Sequence, residues 1–116
     1  MPLVYYSKED KALKGGLPMI TQIIRDAVDV YGCRIINISS GARVDTPTLR
    51  DAAAWAEQHG VLVVSSAGND GNDTVYYPGA FPSVLCVGTV NESKDGPALF
   101  SNRNKNVDLL VPGLNY

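Results

Sequence analysis

The sequence predicts an α/β fold built on a parallel sheet. Three observations support this prediction: short apolar runs alternate with segments of helical periodicity, glycine separates several of them, and the order is strand, helix, strand. Apolar runs without polar alternation are typical of strands that are buried on both faces. Strands that alternate with helices favour right-handed crossovers, which place the strands in parallel.

The predicted strands are short runs rich in valine, isoleucine and leucine, bounded by glycine, proline or polar residues. They cover residues 3–6, 34–39, 61–66, 84–90 and 107–111, and a further short strand is predicted at 99–101. The polar, glycine-containing segment 7–16 shows no periodicity, so it is predicted to be a loop.

Two helices are predicted between the first three of these strands. Residues 17–30 carry apolar side chains at helical spacing, and Gly32 follows as a stop signal. Thr46 and Pro47 then supply an N-cap and a proline at the first helical position. The alanine-rich face of the helix that follows, which ends near residue 60, indicates close packing on a sheet.

Composition and charge exclude several kinds of partner. The net charge is −2 and basic residues never cluster with aromatic ones, so nothing supports binding of nucleic acid. No apolar run approaches the roughly 18 residues of a membrane span, so no membrane partner is expected. Cys33 and Cys86 are predicted to be buried free thiols, and no cluster of cysteine and histidine has the spacing of a zinc site.

The segment 61–71 carries the strongest functional signal of the chain. Four apolar residues are followed by small side chains, and Asn69 then stands where the backbone is expected to turn. In parallel sheets, ligands bind beyond the carboxyl ends of the strands. A fixed side-chain amide can stabilise the negative oxygen that develops during acyl transfer. Asn69 is therefore the first candidate catalytic residue.

A second strand end is predicted to reach the same edge of the sheet. Ser39, Ser40 and Gly41 end the strand that begins at residue 34. An extended segment beside a cleft can bind a peptide strand through main-chain hydrogen bonds. On these residues alone, a strand-end turn is the more ordinary interpretation, because serine and glycine are common there.

Five blocks of the sequence are residues 34–41, 60–71, 77–88, 100–102 and 107–113. In order and spacing they resemble the subtilisin-like serine proteases, with a weaker similarity back to residue 3. The resemblance implies a subtilisin-like three-layer α/β/α fold with a mostly parallel sheet. Residues 1–116 would form the central fragment of one peptidase domain, and the rest of that domain would be a partner. It also implies serine endopeptidase activity on peptide or protein substrates, without a cofactor.

The resemblance implies that Asn69 stabilises the oxyanion and that three segments form the substrate cleft. The first segment, which pairs with the acyl side of the substrate, is Ser39, Ser40 and Gly41. The second, one wall of the S1 pocket, is Ser66, Ala67 and Gly68, and the third, the base of that pocket, is Tyr76 and Tyr77. The S1 pocket is the site for the side chain on the acyl side of the scissile bond. The Tyr77–Pro78 bond is expected to be cis, as in the family.

Tyr76 departs from the family pattern, in which glycine or another small residue is common. A ring that points inward would fill the S1 pocket and favour small acyl-side residues, whereas a ring that points outward would leave it open. We therefore expect poor cleavage after large aromatic residues, the alternative being a surface tyrosine in a loop.

A weak cation site is a further expectation from the resemblance. The backbone carbonyls that would form it, as in some relatives, are those of Gly79, Phe81 and Val84. Asp70 and Asp73 are interpreted as part of a solvated polar loop.

The motifs that carry the catalytic Asp, His and Ser of the family do not occur in residues 1–116. The isolated chain is therefore expected to be inactive. Its single histidine, His59, is interpreted as the end of a helix, where positive charge is favoured. Two alternatives stay open: a non-catalytic relative that binds peptides or acts as a scaffold, and an unrelated α/β binding domain. Self-association is expected, because sheet surface would be left bare.

Overall fold

The computed structural model describes residues 16–113, so the strand and most of the loop predicted before residue 16 lie outside the described residues. The elements in this range are α1 (Gly16–Asp29), β1 (Ile35–Ile38), α2 (Pro47–Gln58), β2 (Leu62–Ser66), β3 (Val84–Val90) and β4 (Leu109–Pro112). Neither helix within this range is long and apolar enough to cross a membrane.

The strands of residues 16–113 form one four-stranded sheet in the order β1-β2-β3-β4. Every neighbouring pair is parallel, which confirms the α/β class and the parallel sheet. Helix α2 connects β1 to β2, so it supplies the crossover that a parallel pair requires. All carboxyl ends therefore meet along one side, which we call the carboxyl edge.

Helix α1 ends at a glycine stop, as the sequence predicts. Gly32 has a φ of +63°, a left-handed conformation that glycine adopts without steric cost. The next amide, that of Cys33, donates a hydrogen bond to the carbonyl of Ala27 at 2.8 Å. Ile24 and Ala27 lie fully buried on the inner side of α1 and join the core.

Helix α2 begins at Pro47, directly after Thr46, which has the extended backbone of an N-cap residue. The Thr46 side chain makes no capping hydrogen bond, so the position was predicted correctly but not the side chain's role. The buried face of α2 consists of Leu49, Ala52, Ala53 and Ala56. Three alanines in this face let the helix approach the sheet closely, as its composition predicts.

The two faces of the sheet differ in their environment. The helix-covered face carries Ile36, Val63 and Val84, which are buried in one core with α1 and α2. The open face carries Ile35 and Leu62, which alternate with them along β1 and β2. Their exposed fractions are 66% and 46%, although both are large apolar residues.

Two expectations for the last part of the chain need correction. Residues 99–101 do not form a strand, because Leu99 projects into solvent with 87% exposure and the segment turns there. Strand β4 begins at Leu109, two residues later than predicted. Before it, the Asp108 carboxylate accepts the amide hydrogen of Cys86 at 2.8 Å.

Both cysteines are free thiols, as predicted, although Cys33 is only half-buried. The Cys86 side chain is buried inside β3, and this burial raises its thiol pKa to about 11, with the negative charge of Asp108 adding to the effect. Such a thiol is a structural apolar group at neutral pH.

Candidate active site

Asn69 lies at the carboxyl edge of the sheet, in the loop that follows β2. Ala67 still pairs with the sheet, because its amide donates to the carbonyl of Val87 at 2.9 Å. Gly68 then adopts a φ of +99°, which ends the strand direction and turns the chain out of the sheet. Asn69 is exposed directly after this turn. The structure thus places the residue at the strand end where the sequence predicts it.

Ser39, Ser40 and Gly41 follow β1 at the same edge. The end of β1 is tied to β2, because the Ser65 hydroxyl donates to the carbonyl of Ile38 at 2.8 Å. Immediately after Gly41, the chain pairs with the predicted base of the S1 pocket. Ala42 and Tyr77 exchange two backbone hydrogen bonds, at 2.9 and 2.8 Å. The three predicted cleft segments therefore lie side by side.

The Tyr76 ring lies between two of these segments and faces both of their glycines. A methyl group built on Gly68 would come within 2.5 Å of the ring's Cδ2 atom. One built on Gly41 would come within 3.3 Å of Cδ1, on the opposite side of the ring. Tyr76 therefore points inward, between the predicted pocket wall at Gly68 and the predicted substrate segment at Gly41.

Two charged side chains flank the Tyr76 ring at the outer side of the site. The guanidinium carbon of Arg43 lies 5.9 Å from the ring centroid, and its Nη2 atom is 3.9 Å from the Asp70 carboxylate. The pKa of Asp70 is lowered, first by hydrogen bonding with Tyr76, then by Asn102 and by the positive charge of Arg43. The pKa of Arg43 is raised, chiefly by Tyr76 and then by Asp70.

The loop around Asp70 is cross-linked to the chain near residue 102, which sequence reasoning missed. Gly71 donates its amide hydrogen to the carbonyl of Phe100 at 2.9 Å, and Arg103 returns a guanidinium bond to the carbonyl of Gly71 at 3.0 Å. Asn102 is fully buried and bonds to the same loop. Asp70 and Asp73 are exposed in a polar loop, as expected, but the hydrogen bonds that hold this loop to the chain near residue 102 were not anticipated. In the sequence, the only indication that this segment matters was the block of residues 100–102.

His59 lies away from these residues, at the amino end of β2. Its Nδ1 atom is 2.7 Å from the carbonyl of Trp55, and its ring lies 4.3 Å from the Trp55 ring. It ends α2, as the sequence predicts.

The Tyr77–Pro78 bond is cis, as expected. In the described residues, no group of three or more His, Cys, Asp or Glu side chains could hold a metal ion. The carbonyl of Phe81 already accepts the amide hydrogen of Val84 at 3.0 Å. The weak cation site at Gly79, Phe81 and Val84 stays a prediction.

Comparison with known proteins decides the family. The sequence model of the subtilase family matches residues 4–116, which is nearly the whole chain. The chain belongs to the subtilase family. The predicted resemblance to subtilisin-like serine proteases is thereby confirmed.

Two curated subtilase relatives are bacterial proteases. The major intracellular serine protease of Bacillus subtilis (strain 168) is 41% identical over 86 residues, which is 70% of this chain and 27% of the relative. The thermophilic serine proteinase of Bacillus sp. (strain AK1) is 37% identical over 105 residues, which is 90% of this chain and 26% of the relative. This subtilase chain therefore spans about a quarter of the length of the relatives it matches.

The fold agrees with solved subtilase structures. The psychrophilic subtilisin-like protease Apa1 of Pseudoalteromonas sp. AS-11 superposes with a TM-score of 0.82 at 28% identity. The match covers 94% of this chain and 24% of that protein. The sheet and helices of residues 16–113 are therefore those of the subtilisin-like fold.

Proposed function

We propose that the full-length protein carrying this chain is a serine endopeptidase, and that Asn69 stabilises the oxyanion. One observation carries the proposal: Asn69 is exposed at the carboxyl end of β2, directly beyond the turn at Gly68. The family membership supports it, because the relatives named above are serine proteases.

The proposed reaction uses an activated serine that attacks the peptide carbonyl and forms an acyl-enzyme, which water then hydrolyses. The carbonyl oxygen becomes negative in each tetrahedral intermediate. The neutral side-chain amide of Asn69 would donate a hydrogen bond to this oxygen. The proposal assigns the serine, its base and the acid to other parts of the protein.

The substrate would lie along Ser39, Ser40 and Gly41 as an added strand. These residues follow the last paired residue of β1, so the segment continues from the sheet into the cleft. Main-chain hydrogen bonds would provide affinity, and the side chain before the scissile bond would point toward Ser66, Ala67 and Gly68. The Tyr76 ring already occupies space between Gly41 and Gly68.

Replacement of Asn69 by alanine in the full-length protein tests the catalytic role. We expect kcat for peptide hydrolysis to fall by about 10²–10³ with little change in KM, a magnitude that comes from a subtilisin, a member of the same family. Asn72→Ala is a matched control, because Asn72 is exposed on the same loop and its carboxamide oxygen accepts a local bond from the Thr74 amide.

Three outcomes separate the alternatives. A selective loss in Asn69→Ala supports the oxyanion role. Full activity in Asn69→Ala would show that another group binds the oxyanion. An inert wild-type protein would instead favour the non-catalytic relative that binds peptides or acts as a scaffold.

The inward Tyr76 ring leads to a proposal for specificity. We propose that it excludes large aromatic acyl-side residues, so Tyr76→Gly should raise cleavage after phenylalanine relative to alanine. A change in pocket size is worth about 10-fold or more in kcat/KM. Tyr76→Phe keeps the ring and loses the hydroxyl, so its preference should stay that of the wild type. Rapid cleavage after phenylalanine by the wild type would refute the proposal.

A further inference from the structure

We propose that Asn102 is a positioning residue for Asn69 and fixes the direction in which the Asn69 amide points. The inference rests on the proposed oxyanion role of Asn69. It concerns a residue 33 positions further along the chain, within the 100–102 block that sequence analysis left without a function.

Asn102 holds both peptide groups that flank Asn69. Its backbone amide donates to the carbonyl of Gly68 at 3.0 Å, and this carbonyl belongs to the peptide group before Asn69. Its side-chain Oδ1 accepts the amide hydrogen of Asp70 at 2.7 Å, and this amide belongs to the peptide group after Asn69. Since these two groups bound the φ and ψ angles of Asn69, one residue holds the backbone on either side of it.

The Asn102 side chain is itself held in one orientation. Its Nδ2 atom donates to the carbonyl of Thr74 at 3.1 Å and lies 3.5 Å from the Asp70 carboxylate. Only the amide nitrogen can donate to these acceptors, so Oδ1 must face the Asp70 amide. The side chain is fully buried, where a lost hydrogen-bond partner leaves an unsatisfied polar group.

Gly68 makes this arrangement possible. A methyl group built on Gly68 would come within 2.6 Å of the Asn102 Nδ2 atom. Asn102 therefore packs directly against the backbone of the turn that precedes Asn69. The absence of a side chain at Gly68 permits both this contact and the positive φ of the turn.

Asn69 depends on this backbone support for its direction. Within residues 16–113, its side chain makes no hydrogen bond that would orient it independently. A misplacement of about 1 Å in a catalytic group can lower the rate by about 100-fold. A loosened backbone at Asn69 should therefore affect catalysis more than substrate binding.

Asn104 offers a matched control for a role in general loop anchoring. Its Nδ2 atom also donates to the carbonyl of Thr74 at 3.1 Å, so it reaches the same loop. In the described residues it makes no hydrogen bond to Gly68 or Asp70. A general anchoring role predicts similar effects at Asn102 and Asn104, whereas the positioning role predicts an effect at Asn102 alone.

The test measures kcat and KM of the full-length protein on a chromogenic peptide, for Asn102→Ala and Asn104→Ala in the wild-type and Asn69→Ala backgrounds. We expect Asn102→Ala to lower kcat by about 10- to 100-fold with little change in KM. In the Asn69→Ala background the further loss should be under about twofold, because coupled residues are not additive. Asn104→Ala should stay within about twofold in both backgrounds.

A second measurement does not depend on activity. Amide hydrogen exchange by NMR should show faster exchange at Asp70 in Asn102→Ala, and the side-chain amide signals of Asn69 should shift. Neither change should occur in Asn104→Ala. If Asn102→Ala does not fold, Asn102→Ser keeps the backbone bond to Gly68 and leaves a smaller void, and its hydroxyl is too short to hold the Asp70 amide in the same place.

The outcomes separate this inference from the proposed function. Equal kcat losses from Asn102→Ala in both backgrounds, or unchanged Asn69 signals, would overturn the positioning role. An active enzyme that ignores Asn69→Ala would overturn the oxyanion role, and the NMR signals would still decide whether Asn102 holds Asn69. If the wild-type protein is inactive, the NMR signals still decide whether Asn102 holds Asn69.

Discussion

The helix-covered face and the open face of the sheet are built from alternate residues of the same strands. Ile36 and Val63 are buried against α1 and α2, whereas Ile35 and Leu62 are 66% and 46% exposed. The side chains on the two faces are similarly apolar. The sequence therefore encodes burial on both sides, as is usual for parallel sheets, and the described residues cover only one of them.

The difference teaches where the stability of this chain originates. The core cluster on the helix-covered face is built from residues between 20 and 84, all of which lie in the described part of the chain. The open face contributes little until another surface covers it. Variants of the same residue type on the two faces should therefore have unequal effects.

The largest effect is expected for Leu49→Ala, on the helix-covered side. Leu49 is 1% exposed in the core, so its truncation should lower the free energy of unfolding by about 2–5 kcal/mol. Leu62→Ala, on the open face, should cost less than about 1 kcal/mol in the 116-residue chain. Urea denaturation of both variants checks the contrast. Equal losses would show that the open face is also covered.

A smaller effect is expected from the exposed apolar residues themselves. The 116-residue chain should self-associate, because large exposed apolar patches favour contact between copies. Leu62→Lys should weaken this association by about 10-fold, since burial of one leucine is worth about 1.5 kcal/mol or more. Sedimentation velocity over a range of concentrations measures it. A monomer at high concentration would contradict the expectation.

The smallest effect is expected at the carboxyl edge, where charge replaces packing. The pKa of Asp70 is lowered below its ordinary value of 3.8, so its ionised form stabilises the folded state. This contribution is complete above the unfolded pKa and is lost as the pH falls through the folded pKa. Urea midpoints of the wild type and Asp70→Asn should therefore begin to converge as the pH falls below about 4. A constant difference between them would exclude ionisation as the cause.

The sequence was sufficient for the fold wherever apolar runs and stop signals agree. Gly32 and Pro47 mark helix ends that the structure reproduces within a residue or two. The strand predicted at residues 99–101 was wrong, because two neighbouring apolar residues resemble a strand even when they lie on a turn. Leu99 is exposed there, and burial depends on neighbours that local composition does not reveal.

The candidate site was partly predictable for a related reason. Strand-end topology and the family resemblance bring Asn69, Gly41 and Gly68 to one edge. The bond between the Asp70 amide and Asn102 could not be predicted, because it joins a loop backbone to a side chain 32 residues away. The inward direction of Tyr76 likewise depends on packing against two glycines from separate segments.

The reactivity of the Cys86 thiol can report how often the central strands of the sheet separate. With a pKa of about 11, only about one thiol in a thousand is ionised at pH 8, even before burial limits access. A thiol reagent should therefore modify the half-buried Cys33 first and reach Cys86 only during excursions that separate β3 from its surroundings. The delay between modification of Cys33 and modification of Cys86 would measure how often the sheet that carries the candidate site opens.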